Sequence, residues 1–174
     1  CGALVERISG MSLDEFLRAR IFEPLGMVDT GFHAPEDDVD RCSVLYVNTP
    51  DKAMAPLAPA GAMTRPPQLL SGGGGLVGTA DDYLRFCHML LNGGELDGVR
   101  LLSPRTLDLM TTNHLPGGRS LNEMGQVTFA EVAMEGTGFG LGFSVVVDAA
   151  ANMSLGSPGS FAWGGAASTA FWVD

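Results

Sequence analysis

The spacing of apolar residues changes along the chain, and that change limits the fold more than any other feature. Near the start, Leu4, Val5 and Ile8 recur at helical spacing, and Leu13, Phe16, Leu17 and Ile21 follow in the same way. From residue 139 the period is two: Phe139, Leu141, Phe143, Val145 and Val147 alternate with Gly140, Gly142, Ser144, Val146 and Asp148. Helices therefore come first and strands late, without alternating strand–helix units. That order favours an α+β fold over a doubly wound parallel sheet.

Local signals sharpen this outline. Gly10 suits the left-handed position just past a helix end. Ser12 with Glu15 is a capping box for a second helix, which Pro24 is expected to stop. Across residues 26–71, Pro35, Pro50, Pro56, Pro59, Pro66 and Pro67 and the acidic group Glu36, Asp37, Asp38 and Asp40 predict a long irregular connection. A connection of that length is either functional or conceals an element. Thr79 is expected to cap a helix that buries Leu84, Cys87, Leu90 and Leu91 and ends at Gly93-Gly94. A short connector over residues 96–102 leads to Ser103-Pro104, which opens a helix carrying Leu107 and Met110. Residues 161–173 are read as a second strand. Its small middle, Gly164-Gly165-Ala166-Ala167-Ser168, predicts that another group approaches the backbone closely.

Composition narrows the functional classes. With 174 residues, 45% hydrophobic and 17% charged, the chain can build the core of one packed domain. Its net charge of −10 would repel a phosphate backbone, so no nucleic-acid partner is expected. No apolar run reaches the roughly 18–20 residues of a membrane span. Cys1, Cys42 and Cys87 form no C-x-x-C pair, and His33, His88 and His114 are dispersed, so neither a disulfide framework nor a metal site is expected. His88 is read as a half-buried packing residue. Compartment and oligomeric state are left open.

Motifs for chemistry are few. Gly73-Gly74-Gly75-Leu76-Val77-Gly78 satisfies G-x-G-x-x-G, yet no strand precedes it, so it reads as a glycine turn packed under a helix start. No G-x-S-x-G or Ser-x-x-Lys occurs. Lys52 is the only lysine, and Thr49, three positions before it, stands in a proline-broken loop. The chain thus carries no recognisable nucleophile. It opens at Cys1 inside a helical pattern and closes in strand-like Ala170-Phe171-Trp172-Val173-Asp174, so an internal portion of a longer protein is expected.

Four segments resemble one known family: Gly2-Ala3-Leu4-Val5-Glu6-Arg7-Ile8-Ser9-Gly10, Ile21-Phe22-Glu23-Pro24-Leu25-Gly26-Met27, the run Ser71-Gly72-Gly73-Gly74-Gly75-Leu76-Val77-Gly78-Thr79-Ala80-Asp81-Asp82-Tyr83, and Phe161-Ala162-Trp163-Gly164-Gly165-Ala166. In this order they are similar to the serine β-lactamase-related family, which holds class C β-lactamases, D-aminopeptidases and esterases of the same fold. The resemblance implies a β-lactamase/transpeptidase-like α+β fold, a helical region plus an antiparallel sheet. Residues 1–174 would be part of a single such domain, without its N-terminal nucleophile region and C-terminal strands.

The same resemblance implies a serine hydrolase that cleaves a small-molecule ester or amide through an acyl-enzyme, without metal or organic cofactor. Its Ser-x-x-Lys serine and Tyr-x-Asn or Tyr-x-Ser tyrosine would both precede Cys1, leaving this chain inactive alone. Tyr46 precedes Val47-Asn48 but follows the helix pair, and is read as a surface or packing tyrosine. Where class C β-lactamases carry Lys-Thr-Gly, this chain reads Trp163-Gly164-Gly165, as in the esterase-like branch. An indole in place of a cation offers one N–H and a broad apolar face, which favours a neutral ester over a β-lactam carboxylate. Trp163, Gly164 and Gly165 would line the substrate site, and the Ala166 N–H would form the oxyanion hole with that of the serine. Two rivals remain: a non-catalytic penicillin-binding-protein-like binding or assembly protein, and a nucleotide-binding oxidoreductase resting on the glycine run.

Overall fold

A computed structural model describes residues 1–58, 61–124, 134–165 and 167–174. The chain divides into two compact units, Cys1–Phe86 and Cys87–Asp174.

In the first unit, α1 (Gly2–Ser9) stops at Gly10, whose φ of 72° is left-handed. The capping box of α2 (Leu13–Leu17) is complete: Glu15 N–H donates to Ser12 Oγ at 3.2 Å, and Ser12 N–H donates to Glu15 Oε2 at 2.9 Å. Pro24 does not stop the helical path as expected. A π-helical turn, Arg18–Phe22, widens the backbone ahead of it, and α3 (Glu23–Leu25) carries the path on to left-handed Gly26. Pro24 thus stands in the first turn of α3, the position at which proline's missing N–H costs least. Leu13, Phe22 and Leu25 are buried by this arrangement, while Leu4 and Ile8 of α1 stand exposed.

The connection over residues 26–71 is less irregular than its prolines suggest. It holds a 3-10 turn, Glu36–Arg41, an antiparallel hairpin of β1 (Tyr46–Asn48) and β2 (Met54–Pro56), and a second 3-10 turn, Ala62–Thr64. Thr49-Pro50-Asp51-Lys52 is the hairpin turn, with Lys52 at φ 64° and Thr49 N–H bonded to Ala53 O at 2.9 Å. Strands of three residues are too short to display alternation, which is why the sequence hid them.

The glycine run serves close packing. A Cβ on Gly72 would lie 2.7 Å from Gly2 N, and one on Gly2 would lie 2.9 Å from Leu13 Cδ2. The run therefore seats against the start of α1. Beyond it, Val77 and Gly31 exchange backbone hydrogen bonds of 2.8 and 3.0 Å.

α4 (Ala80–Leu91) begins where Thr79 Oγ1 accepts Asp82 N–H at 3.2 Å. Its inward stripe differs from the expected one: Met89 and Leu90 are buried at 1% exposure, whereas Leu84, His88 and Leu91 are exposed. Asp82, 5% exposed, shares the face of Met89 seven positions on. It turns inward because its carboxylate accepts the Asp29 N–H at 2.8 Å and the Thr30 hydroxyl at 2.7 Å.

In the second unit, Gly93 and Gly94, both at positive φ, close α4. The expected connector is a hairpin of β3 (Glu95–Leu96) and β4 (Val99–Arg100), turned by Asp97 and Gly98 at φ 51° and 81°. Ser103 Oγ accepts Thr106 N–H at 3.1 Å to start α5 (Pro104–Met110), followed by the short α6 (Leu121–Met124).

The sheet orders β5 (Thr137–Phe139), β6 (Ser144–Val146), β7 (Phe161–Gly164) and β8 (Ala170–Val173) consecutively, every neighbour antiparallel. Each of the two long strands read from sequence is thus a hairpin. Residues 140–143 turn between β5 and β6, with Gly140 N–H on Phe143 O at 2.8 Å. The register pairs Phe139 with Ser144, so odd positions before the turn share a face with even positions after it; the apolar residues run on at odd positions regardless, and the pattern hides the break. One sheet face buries Phe143, Val145, Phe161 and Val173, and the Phe143 ring meets Phe161 and Phe171 at 5.0 and 5.9 Å. The other face presents Ser144, Ala162 and Trp172, the last 73% exposed. No helix among the described residues is long and apolar enough to cross a membrane.

Candidate active site

Trp163 and Gly164 end β7, and Gly165 begins the turn to β8. Gly165 N–H donates to Thr169 O at 2.8 Å, and Ser168 N–H donates to Gly165 O at 3.0 Å. A Cβ on Gly165 would overlap Thr169 Oγ1, while Gly164 faces nothing nearer than Thr169 O at 3.6 Å. The close approach expected at these small residues is therefore supplied by the hairpin's own return strand. Because its N–H is committed to Thr169, the Gly165 amide is not free for a substrate oxygen. Ala166, the expected oxyanion donor, lies outside the described residues.

Trp163 is 41% exposed, and its ring meets Phe139 edge to face, with centroids 5.1 Å apart at 76°. Trp163, Gly164 and Gly165 all stand open to solvent along one hairpin end. A concavity of about 450 Å³ lies on the sheet face of Ser144, Ala162 and Trp172, and its lining includes none of Trp163, Gly164 and Gly165. Strand geometry accounts for the separation, since Ala162 and Trp163 point to opposite faces.

Sequence reasoning missed the residue that holds Phe139. Asn113 Oδ1 accepts the Phe139 N–H at 3.1 Å and the Leu115 N–H at 3.0 Å, and its Nδ2 donates to Arg119 O at 3.0 Å. The next amide, His114 N–H, donates to Phe139 O at 2.8 Å. Asn113 and Phe139 lie 26 positions apart, beyond the reach of any local pattern. The one sequence trace is Gly138, where a Cβ would overlap the Asn113 side chain.

Displaced titrations fall at caps, turns and surface ion pairs. Hydrogen bonds from the Ser12 backbone and hydroxyl hold Glu15 below its usual range, and the Thr49 hydroxyl does the same for Asp51. The Arg41 guanidinium, 2.7 Å from Asp29 and 3.0 Å from Asp38, lowers Asp29 and is itself raised. Burial pushes the Cys87 thiol up. No group of His, Cys, Asp and Glu among the described residues could hold a metal ion.

Helices together with antiparallel sheets make this a chain of α+β class, and the family match and the superposition on a solved hydrolase give it the β-lactamase/transpeptidase-like fold. The family model described as Beta-lactamase matches residues 1–174, and the chain belongs to that family. It is 38% identical over 177 residues to an uncharacterized protein of Mycobacterium tuberculosis, covering 99% of this chain and 43% of that one. Esterase EstB of Burkholderia gladioli is 32% identical over 190 residues, covering 99% of this chain and 44% of the esterase. Among solved structures, EstCE1, a hydrolase with promiscuous acyltransferase activity, superimposes with a TM-score of 0.72 at 27% identity, over 98% of this chain and 45% of its own. The chain thus spans under half the length of these relatives.

Proposed function

We propose that this chain is part of a serine hydrolase that cleaves small neutral esters through an acyl-enzyme. The serine oxygen would bond to the ester's carbonyl carbon as the bond to the alcohol oxygen breaks, and the alcohol would leave with the serine's proton. Water would then attack the acyl carbon, releasing the acid and returning a proton to the serine. Both the nucleophile and its lysine and tyrosine partners would come from sequence preceding Cys1. In this reading Trp163, Gly164 and Gly165 line the acyl site, and the Ala166 N–H stabilises the tetrahedral oxygen, an interaction worth roughly 3–4 kcal/mol.

The observation that carries the proposal is the indole of Trp163, open at the end of β7 where a carboxylate-binding lysine would suit a β-lactam. Likeness to proteins named as esterases supports it. The test is to purify the full-length protein and assay a series of p-nitrophenyl esters beside a chromogenic β-lactam, with intact-mass detection of a fluorophosphonate adduct. Ester turnover with a single serine adduct is expected. Absence of both ester turnover and adduct would reject the proposal.

A further inference from the structure

We infer that Phe139 is a positioning residue for the candidate site, fixing the Trp163 indole against which the ester's acyl group packs. The inference rests on the proposed function and adds a determinant of its substrate selectivity. Phe139 is held at both backbone groups by a segment outside the sheet, its N–H on Asn113 Oδ1 and its carbonyl under His114 N–H. Its ring is thereby delivered to the edge-to-face contact with Trp163. That contact matters because Trp163 is 41% exposed even with it in place, and an indole free to swing presents no defined wall.

Asn113 is suited to this task. Its amide oxygen takes two backbone N–H groups while its nitrogen bonds Arg119 O, so the side chain cannot turn over without losing all three bonds. Gly138 supplies the space that lets Asn113 reach β5, since a Cβ there would overlap the amide. The order Asn113 to Phe139 to Trp163 is therefore a supporting shell behind the site wall, and none of its first two members needs to touch the reacting atoms.

The experiment uses the full-length protein labelled with 5-fluorotryptophan, the Trp163 resonance being the ¹⁹F signal that Trp163→Phe removes. Phe139→Ala is expected to move that signal toward the position of a solvent-exposed indole. It should raise KM for p-nitrophenyl esters roughly 3- to 10-fold, the scale of one aromatic contact, with kcat within about twofold. Phe139→Tyr should restore both, and Asn113→Ala should act in the same direction more weakly. Phe139→Leu keeps apolar volume without the ring, and stands in if the alanine variant does not fold. An unmoved resonance with unchanged KM in a folded Phe139→Ala or Phe139→Leu protein would overturn the inference. A moved resonance in a protein that shows neither ester turnover nor a serine adduct would uphold the positioning contact and reject the hydrolase reading, so the two failures are separable.

Discussion

Gly165 shows how a single hydrogen in place of a methyl group serves two demands. Its missing Cβ makes room for Thr169 Oγ1, and its N–H closes the hairpin on Thr169 O. Gly165→Ala is therefore expected to destabilise by about 1–3 kcal/mol through overpacking, measured as a urea midpoint shift. The added substitution Thr169→Ala should recover most of that loss, because it removes the overlapping oxygen. If the turn also borders an acyl site, ester turnover in the full-length double variant stays low although stability returns; recovered turnover would leave Gly165 with a structural role alone. At this scale the sequence was legible in part. Small residues after Trp163 announced a close approach, but nothing in their letters said that the approaching group was four positions away in the same hairpin.

Among the elements, caps were read best because each is written in three or four adjacent residues. Ser12 with Glu15 and Thr79 with Asp82 bond as their spacing predicts, and Ser103-Pro104 opens its helix as read. The inward face of α4 was misread because Asp82 answers to donors more than fifty positions away. Asp82→Ala should cost about 2–3 kcal/mol, since it leaves the Asp29 N–H and the Thr30 hydroxyl without their acceptor, and chemical denaturation would read the loss. The neighbouring ion pair makes a prediction in pH. Arg41 lowers the folded-state pKa of Asp29, so the pair contributes stability above the unfolded carboxylate value, about 4, and loses it as pH falls through the lower folded value. Between pH 5 and pH 2.5 the urea midpoint should fall less steeply in Asp29→Asn than in the parent chain. Identical slopes would show that the pair contributes nothing to folding, as many exposed pairs do.

For the whole molecule, charge and apolar exposure oppose each other. The first unit leaves Leu4, Ile8, Val28 and Leu69 exposed, and the second leaves Met153, Leu155 and Trp172. Surface of this kind drives association, while a net charge of −10 resists it at neutral pH. The 174-residue chain is therefore expected to exceed its monomer mass of 18.2 kDa by light scattering once salt screens the charge, and to associate most strongly near its isoelectric point of about 4.5. Trp172→Lys combined with Leu155→Glu tests the cause, because both residues line the concavity on the open sheet face and the two changes cancel in charge. Loss of association in that variant would assign it to the sheet face. A monomer at every salt concentration in the parent chain would mean that the exposed side chains form no patch large enough to pair.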